Sequence, residues 1–423
     1  MIHLVAWRNL WRRRQRTLFT ALAMGVGVGL SMGSMALQRG VSLELFDELV
    51  TDTLGHVQLH HPSYPSTRRL HDTLKELSAL TAQVEGQRGV LSTSPRLMSV
   101  ALVGGAQRST GALISGVDPV REAKLSELDQ SVIQGAWLAS QAERQALIGE
   151  GLAEELSIGV GGELAVVGQD AYGGVAQGLF TICGVVRSGS VELDSAGVWL
   201  HLQDAQALFA LEDQGHELII VSGDATTQAL GEGEDERALQ ELKAKLIALP
   251  LLKEAAPLTR TWREAMPSIS QLMDTQRASS YIMLVIVLAL AALGILNTML
   301  MSVYERTREL GVMLAIGVQP RLISALVIVE ALYLATVAAL IGLILGGTID
   351  YLLITYGLDF SVNGEGLSYG GVRLSPRLYG AFEWSSALAT LAGLYLTTLL
   401  ASLWPAYRAS HLEPVEAINK GSQ

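Results

Sequence analysis

The chain has 423 residues, 49% hydrophobic and 17% charged, with a formal net charge of −11 and a mean hydropathy of +0.34. The acidic balance argues against a general nucleic-acid binder, and a single cysteine, Cys183, rules out an internal disulfide. This length and apolar content accommodate a membrane domain plus at least one folded soluble domain.

The N-terminal stretch HLVAWRNLWRRRQR places Leu4, Trp7, Leu10 and Trp11 at helical spacing, with arginines between them. It reads as a cytoplasmic amphipathic helix over 1–16 in the headgroup layer; a plain arginine-rich anchor is the simpler alternative. The uncharged run 17–37 is long enough to cross about 30 Å of hydrocarbon. It is also longer than a signal-peptide core and has no small-x-small cleavage site after it, so it is expected to be retained. Ala21, Gly25, Gly29 and Gly33 put a small residue at every fourth position, a groove for close packing of another helix. Gly342 and Gly346 repeat the pattern further on, as do Ala389 and Gly393. Whether the groove takes another span or a second copy stays open at this stage.

Residues 38–277 form a long hydrophilic segment. VQLHH (57–61) alternates like a strand, and 70–85 reads as an amphipathic helix. MSVALVGG and STGALISGV predict a strand pair. HELIIVSG, then the helical 236–250 and a further short run, repeat a strand–helix–strand order. Between them, about 135–211 is rich in glycine and short β-like runs, which predicts a β-rich insertion in an α+β platform. The acidic run 231–236 reads as a solvated loop.

A second span is expected at 278–303. A helix from Ser268 to about Tyr304 would rise roughly 55 Å, more than the bilayer core. The third span, 322–349, is interrupted by Glu330; the fourth is 384–404. An acid inside a span is either a functional group or a bundle-facing carboxylate bonded to a neighbouring helix or to Arg321. Arginines flank the first span, the connection 304–320 and the tail 405–423, so these should face the cytoplasm. The segments 38–277 and 350–383 would lie outside. Pro405, Arg408 and Pro414 are expected to end the fourth span.

No catalytic and no metal site is expected. The phosphate-loop pattern is absent. Gly366-Leu367-Ser368-Tyr369-Gly370 matches G-x-S-x-G but sits in a short loop between spans, without the strand–turn–helix setting that motif needs. His56, His60, His61 and His71 cluster without completing a zinc set and read as surface histidines.

Three segments closely resemble the FtsX/MacB/LolC-type ABC transporter permeases: AWRNLWRRRQRT (6–17), ILNTMLMSVYERTRELGVMLAIG (295–317) and WPAYRASHLEPVEAI (404–418). GHVQLHHPSY (55–64) and LIGEGLAEELSIGVGGEL (147–164) are similar to that family's periplasmic core domain. The resemblance implies a membrane α-helical fold of four transmembrane helices plus an α+β, MacB-like periplasmic domain. It implies an inner-membrane, multi-pass protein with both termini cytoplasmic. It also implies a dimer with the same or a homologous permease, bound to two copies of an ABC-type ATPase.

ATP and Mg would be bound by that partner, and no cofactor by this chain. Only sixteen residues precede the first span, so the ATPase is expected on a separate chain. The stretch 304–320 matches the family's coupling helix. There Glu305, Arg306, Thr307, Arg308 and Glu309 would dock the ATPase, while Gly311 and Gly317 shape the return to the membrane. The implied function is transmission of ATP-driven motion to the periplasmic domain, with membrane lipid, a lipoprotein or a periplasmic carrier as further partners. The expected cargo is a lipoprotein or lipid-like molecule taken from the inner membrane. Efflux of an antibiotic or peptide through an outer-membrane duct, and regulation of a cell-wall hydrolase without transport, are the alternatives.

Overall fold

The computed structural model describes residues 2–46, 54–223, 233–250, 252, 256–360, 368–369, 372–373 and 375–413. The chain divides into two compact units. A helical unit comprises Met1–Val41, Leu272–Phe360 and Arg377–Gln423, and a sheet unit comprises Ser42–Gln271 and Ser361–Pro376.

The helical elements are α1 (Ile2–Leu10), α2 (Arg14–Phe46), α3 (Pro267–Glu305), α4 (Thr307–Ala315), α5 (Pro320–Tyr356) and α6 (Trp384–Ser410). Among the described residues, four helical stretches are long and apolar enough to cross a membrane: His3–Phe46, Pro267–Glu305, Pro320–Tyr356 and Trp384–Ser410. Each apolar run of the sequence therefore lies in one long helix. The fourth runs beyond its expected end, because Pro405 sits inside α6 and the helix continues to Ser410. The expected end at Pro414 lies outside the described residues, as does most of the tail.

The small-residue groove of α2 is filled by α5. A Cβ on Gly25 would lie 2.7 Å from Ile341, and one on Gly29 3.0 Å from the Leu345 Cβ and 3.1 Å from the Gly346 backbone. A Cβ on Gly33 would lie 2.5 Å from Ile349. Reciprocally, a Cβ on Gly342 would meet Val28 at 2.6 Å, and one on Gly346 would meet the Gly29 Cα at 3.3 Å. Ala21 is fully buried on the same face. In lipid no hydrophobic force joins helices, so this backbone-to-backbone approach supplies dispersion contact instead. In α6, Gly393 faces Leu288 of α3, while Ala389 is exposed.

Among the described residues, the main sheet of the sheet unit has ten strands: β1 (Val57–His60), β2 (Val90–Gly104), β3 (Ser109–Val117), β4 (Val132–Gly135), β5 (Gln145–Gly149), β6 (Glu163–Gln169), β7 (Val175–Val186), β8 (Gly197–His201), β9 (Glu217–Ser222) and β10 (Leu258–Thr261). Their order is β10-β1-β9-β2-β3-β8-β5-β7-β4, and β6 pairs with both β2 and β7. The pairings β2–β3–β8–β5–β7–β6–β2 therefore close a ring. Leu97, Val103, Ile114, Ile148, Leu164, Val166, Phe180 and Leu200 belong to its main apolar core, and Val117, Leu147, Val186 and Trp199 to a second apolar cluster. The helix Leu202–Phe209 adds Ala205 and Phe209 to that core.

The ring replaces the expected insertion. The runs within 135–211 are no separate module: they supply four of the ring's six strands, β5 to β8. Two further expectations are corrected. The helix expected over 70–85 begins only at Leu77, because Leu74 is held in a β-bridge to Gly215. The acidic run is helical from Gly233, and its residues 231–232 lie outside the described residues.

Candidate functional site

The junction between α3 and α4 begins with a backbone break. Arg306 leaves the helical region at φ −109°, ψ 15°. The Thr307 hydroxyl donates to the carbonyls of Val303 (3.1 Å) and Tyr304 (2.8 Å) in the last turn of α3, and Val303 O also accepts from Arg306 N–H at 3.2 Å. The far end of α4 is equally defined. Gly317 N–H donates to Leu314 O at 3.1 Å and Val318 N–H to Met313 O at 3.0 Å. This is the paired closure of a Schellman motif, and Gly317 sits at φ +91°, where a side chain is disfavoured. Gly311 is buried beside Leu310 on the inner face of α4.

The charges of this junction meet the arginines of the chain's own N-terminus. Arg12 donates to Glu309 at 2.7 Å. Arg16 donates to both oxygens of Glu305 at 3.1 Å, and Arg13 bonds the same carboxylate. Arg306 reaches Glu309 at 3.3 Å and, in the other direction, Glu330 of α5 at 3.1 Å. The Ser302 hydroxyl donates to Glu330 at 3.4 Å. Seven charged side chains from the N-terminal arginine run, the end of α3, α4 and α5 thus gather around one cavity as a network of two ion-pair clusters, Arg13–Glu305–Arg16 and Arg12–Glu309–Arg306–Glu330. The hydrogen bond from Arg12, aided by Arg306, holds the Glu309 carboxyl below its ordinary range against a smaller effect of burial.

Within this network Glu330 is the buried member, and Arg306 rather than Arg321 is its partner; Arg321 is exposed. Removing either partner of such a pair leaves a buried charge uncompensated. The N-terminal helix is fixed to the same region of α5. His3 Nδ1 lies 3.1 Å from the Tyr333 hydroxyl, and the Trp7 ring meets the Tyr333 ring edge-on at 5.5 Å. Ala6 and Leu10 are buried, whereas Leu4 and Trp7 remain largely exposed.

The structure separates the residues expected to dock a partner into two sets. Glu305 and Arg306 are turned into the network, and Glu309 stands at its edge. Arg308 points away, with Val312 (44% exposed) and Ile316 (75% exposed) at successive fourth positions on the same face of α4. From sequence, Arg12, Arg13 and Arg16 carry only a topological and lipid-facing role. The signal for their further role is a block of bases without acids preceding one span, and Glu305 and Glu309, four residues apart, following another.

In the sheet unit the histidines depart from expectation. His56 and His60 are buried rather than on the surface, while His61 and His71 are partly or fully exposed. His60, Tyr64 and His216 stack with centroids 6.0 and 4.7 Å apart. His56 Nδ1 accepts from Ser222 N–H at 3.1 Å, and His216 Nδ1 from Met98 N–H at 3.0 Å. No group of three metal-ligating side chains occurs among the described residues. Of the G-x-S-x-G match, Gly366, Leu367 and Gly370 lie outside the described residues, and Ser368–Tyr369 pairs as a short strand with Val372–Arg373.

Residues 17–259 match the family model of the MacB-like periplasmic core domain, and residues 281–414 that of the FtsX-like permease C-terminal region. The chain is 24% identical to the lipoprotein-releasing system transmembrane protein LolC of Neisseria meningitidis serogroup B, over 99% of both chains. It is 21% identical to the corresponding LolE of Haemophilus influenzae, over 98% of both. It is also 25% identical to the pyoverdine export ATP-binding/permease protein PvdT of Pseudomonas syringae pv. tomato, across 98% of this chain and 58% of that one.

Proposed function

The chain belongs to the FtsX/MacB/LolC-type ABC transporter permeases, and on that premise we propose that it is a permease subunit driven by a separate ABC-type ATPase docked on α4. The observation that carries this reading is the division of labour in α4. Its inner charges are tied to the chain's own arginines, and Arg308, Val312 and Ile316 present a mixed face outward. Displacing α4 would pull on Arg12 through Glu309, on Arg16 through Glu305, and on α5 through Arg306 and Glu330. A push at α4 would therefore be shared by α2, α3 and α5 at once rather than absorbed locally.

Expected placement follows the arginines: both termini and α4 in the cytoplasm, the sheet unit in the periplasm. ATP and Mg would be held by the ATPase, in two copies, and a second permease, identical or homologous, would complete the complex. Near full-length likeness to LolC and LolE supports release of lipoproteins from the inner membrane as the task. Likeness to PvdT over nearly the whole chain supports export of a small molecule as the second reading.

Arg308→Glu combined with Ile316→Asp tests the docking face without touching the internal network. The expected result is loss of ATPase capture and stimulation, with normal insertion and folding of the permease. Unchanged capture and stimulation would overturn the assignment. Deleting the gene separates the cargo readings: lipoproteins retained in the inner membrane support release, and retention of a secreted small molecule instead supports export.

A further inference from the structure

The charged network lines a half-open cavity of about 190 Å³ whose chemistry the coupling role does not use. A single water needs only about 10–15 Å³ of such space, so the cavity accommodates a tetrahedral anion with its hydration. Two atoms of residues lining it are buried without a hydrogen-bond partner among the described residues: Asn9 Nδ2 and Arg16 Nε. Both are donors. None of the nearby carboxylates accepts from either of them, so both donors are open to an acceptor brought by a ligand.

Charge gives the second constraint. Arg12, Arg13, Arg16 and Arg306 line the cavity against Glu305, Glu309 and Glu330, four positive charges to three negative. The remainder is one positive charge. An acceptor-only group with one negative charge satisfies both constraints, and a phosphodiester is such a group: two non-bridging oxygens, no donor, one charge. The cavity lies at the arginine-flanked ends of apolar helices, beside α1, whose Leu4 is 72% exposed and Trp7 45% exposed. Apolar and indole side chains at such a level fit the boundary between acyl chains and headgroups.

We propose that this cavity binds the phosphodiester of a phospholipid headgroup, held by Arg16 and Asn9. Bound there, the phosphate competes with Glu305 for Arg16 and Arg13. Headgroup occupancy then sets how firmly the N-terminal arginines grip the end of α3 and, through Glu309, α4. This regulatory consequence rests on the coupling role proposed above; the binding itself does not.

The test uses the full-length chain in detergent without any ATPase, so its outcome is independent of docking. Phosphatidylglycerol retained per chain after extensive delipidation is measured by mass spectrometry. Asn9→Leu, which breaks no ion pair, and Arg16→Gln are each expected to weaken retention about tenfold, the effect of one charge-assisted hydrogen bond. Arg8→Gln, an exposed arginine of α1 outside the cavity, should leave it unchanged. Millimolar inorganic phosphate should fail to displace the lipid. Displacement by phosphate alone would identify a free-phosphate site and overturn the lipid assignment. Equal retention by folded Asn9→Leu and wild type would overturn the site altogether.

Discussion

In the helical unit the closest approaches occur where side chains are missing; in the sheet unit the core is built from side chains that are large. Gly25, Gly29, Gly342 and Gly346 bring two helix backbones together; a methyl group at Gly25 or Gly342 would collide, and one at Gly29 or Gly346 would force its neighbours to give. The ring of β2, β3 and β5 to β8 is filled by Phe209, Phe180, Leu97, Leu164 and their neighbours, with Phe209 and Leu97 fully buried. The difference follows from the solvent. In water, burying a large apolar side chain is itself the driving force. Between helices surrounded by lipid that force is absent, so contact area must come from fit, and small residues permit the fit.

The contrast predicts opposite sensitivities. Phe209→Ala should destabilise the sheet unit by about 3–5 kcal/mol through lost burial and a residual cavity. Gly29→Leu should destabilise the helical unit by about 1–3 kcal/mol or more, because the added side chain meets Leu345 and the Gly346 backbone. Hydrogen exchange on the full chain separates the two: each variant should lose amide protection in its own unit first. Equal loss in both units for either variant would contradict the comparison.

Acid should sharpen the same contrast. Burial lowers the affinity of His56 for a proton to a pKa of about 4, and burial lowers that of His60 and His216 as well. The unfolded chain binds these protons near the ordinary histidine value of about 6.5, so between that value and about 4 it holds more of them. Stability of the sheet unit should therefore be full above about pH 6.5 and fall as the pH is lowered towards 4. His56 alone accounts for on the order of 3 kcal/mol. Exchange protection of β1 and β9 measured at neutral and acidic pH checks this. His56→Asn should flatten part of the slope, and an unchanged slope would remove His56 from the account.

How much of the fold and the junction is legible in the sequence depends on how far apart the partners lie in the chain. The four apolar runs and the α2 groove are periodic and local, so they can be read directly. The identity of the groove's partner cannot, since it requires knowing that residues 25–33 meet 341–349. The ring escapes for a similar reason. Its strands look like an insertion because β3 pairs β8, and β5 pairs β7, in parallel across intervening elements. At the junction the charges of 305–309 are legible as a cluster. Their partners are not, because Arg12 and Glu309 are separated by 297 residues. The helix expected from residue 70 fails because the Leu70–Leu74 spacing suits a helix and a bridged turn equally.

The smallest predicted effect tests whether all glycines in the helical unit serve packing. A Cβ on Gly317 would meet no atom within 4 Å, yet the φ of this residue is +91°. Its role is therefore conformational: it closes α4 so that Val318 can turn towards Pro320 and the start of α5. Gly317→Ala should cost roughly 1–2 kcal/mol from left-handed strain alone, without steric collision. Gly317→Asn should recover part of that loss, since asparagine tolerates this region better. At Gly29 the order reverses: asparagine is larger than alanine and should be the worse replacement. Measuring both pairs by denaturant titration of the full chain decides between the two roles, and the same ranking at both sites would mean that backbone conformation and packing had been wrongly separated.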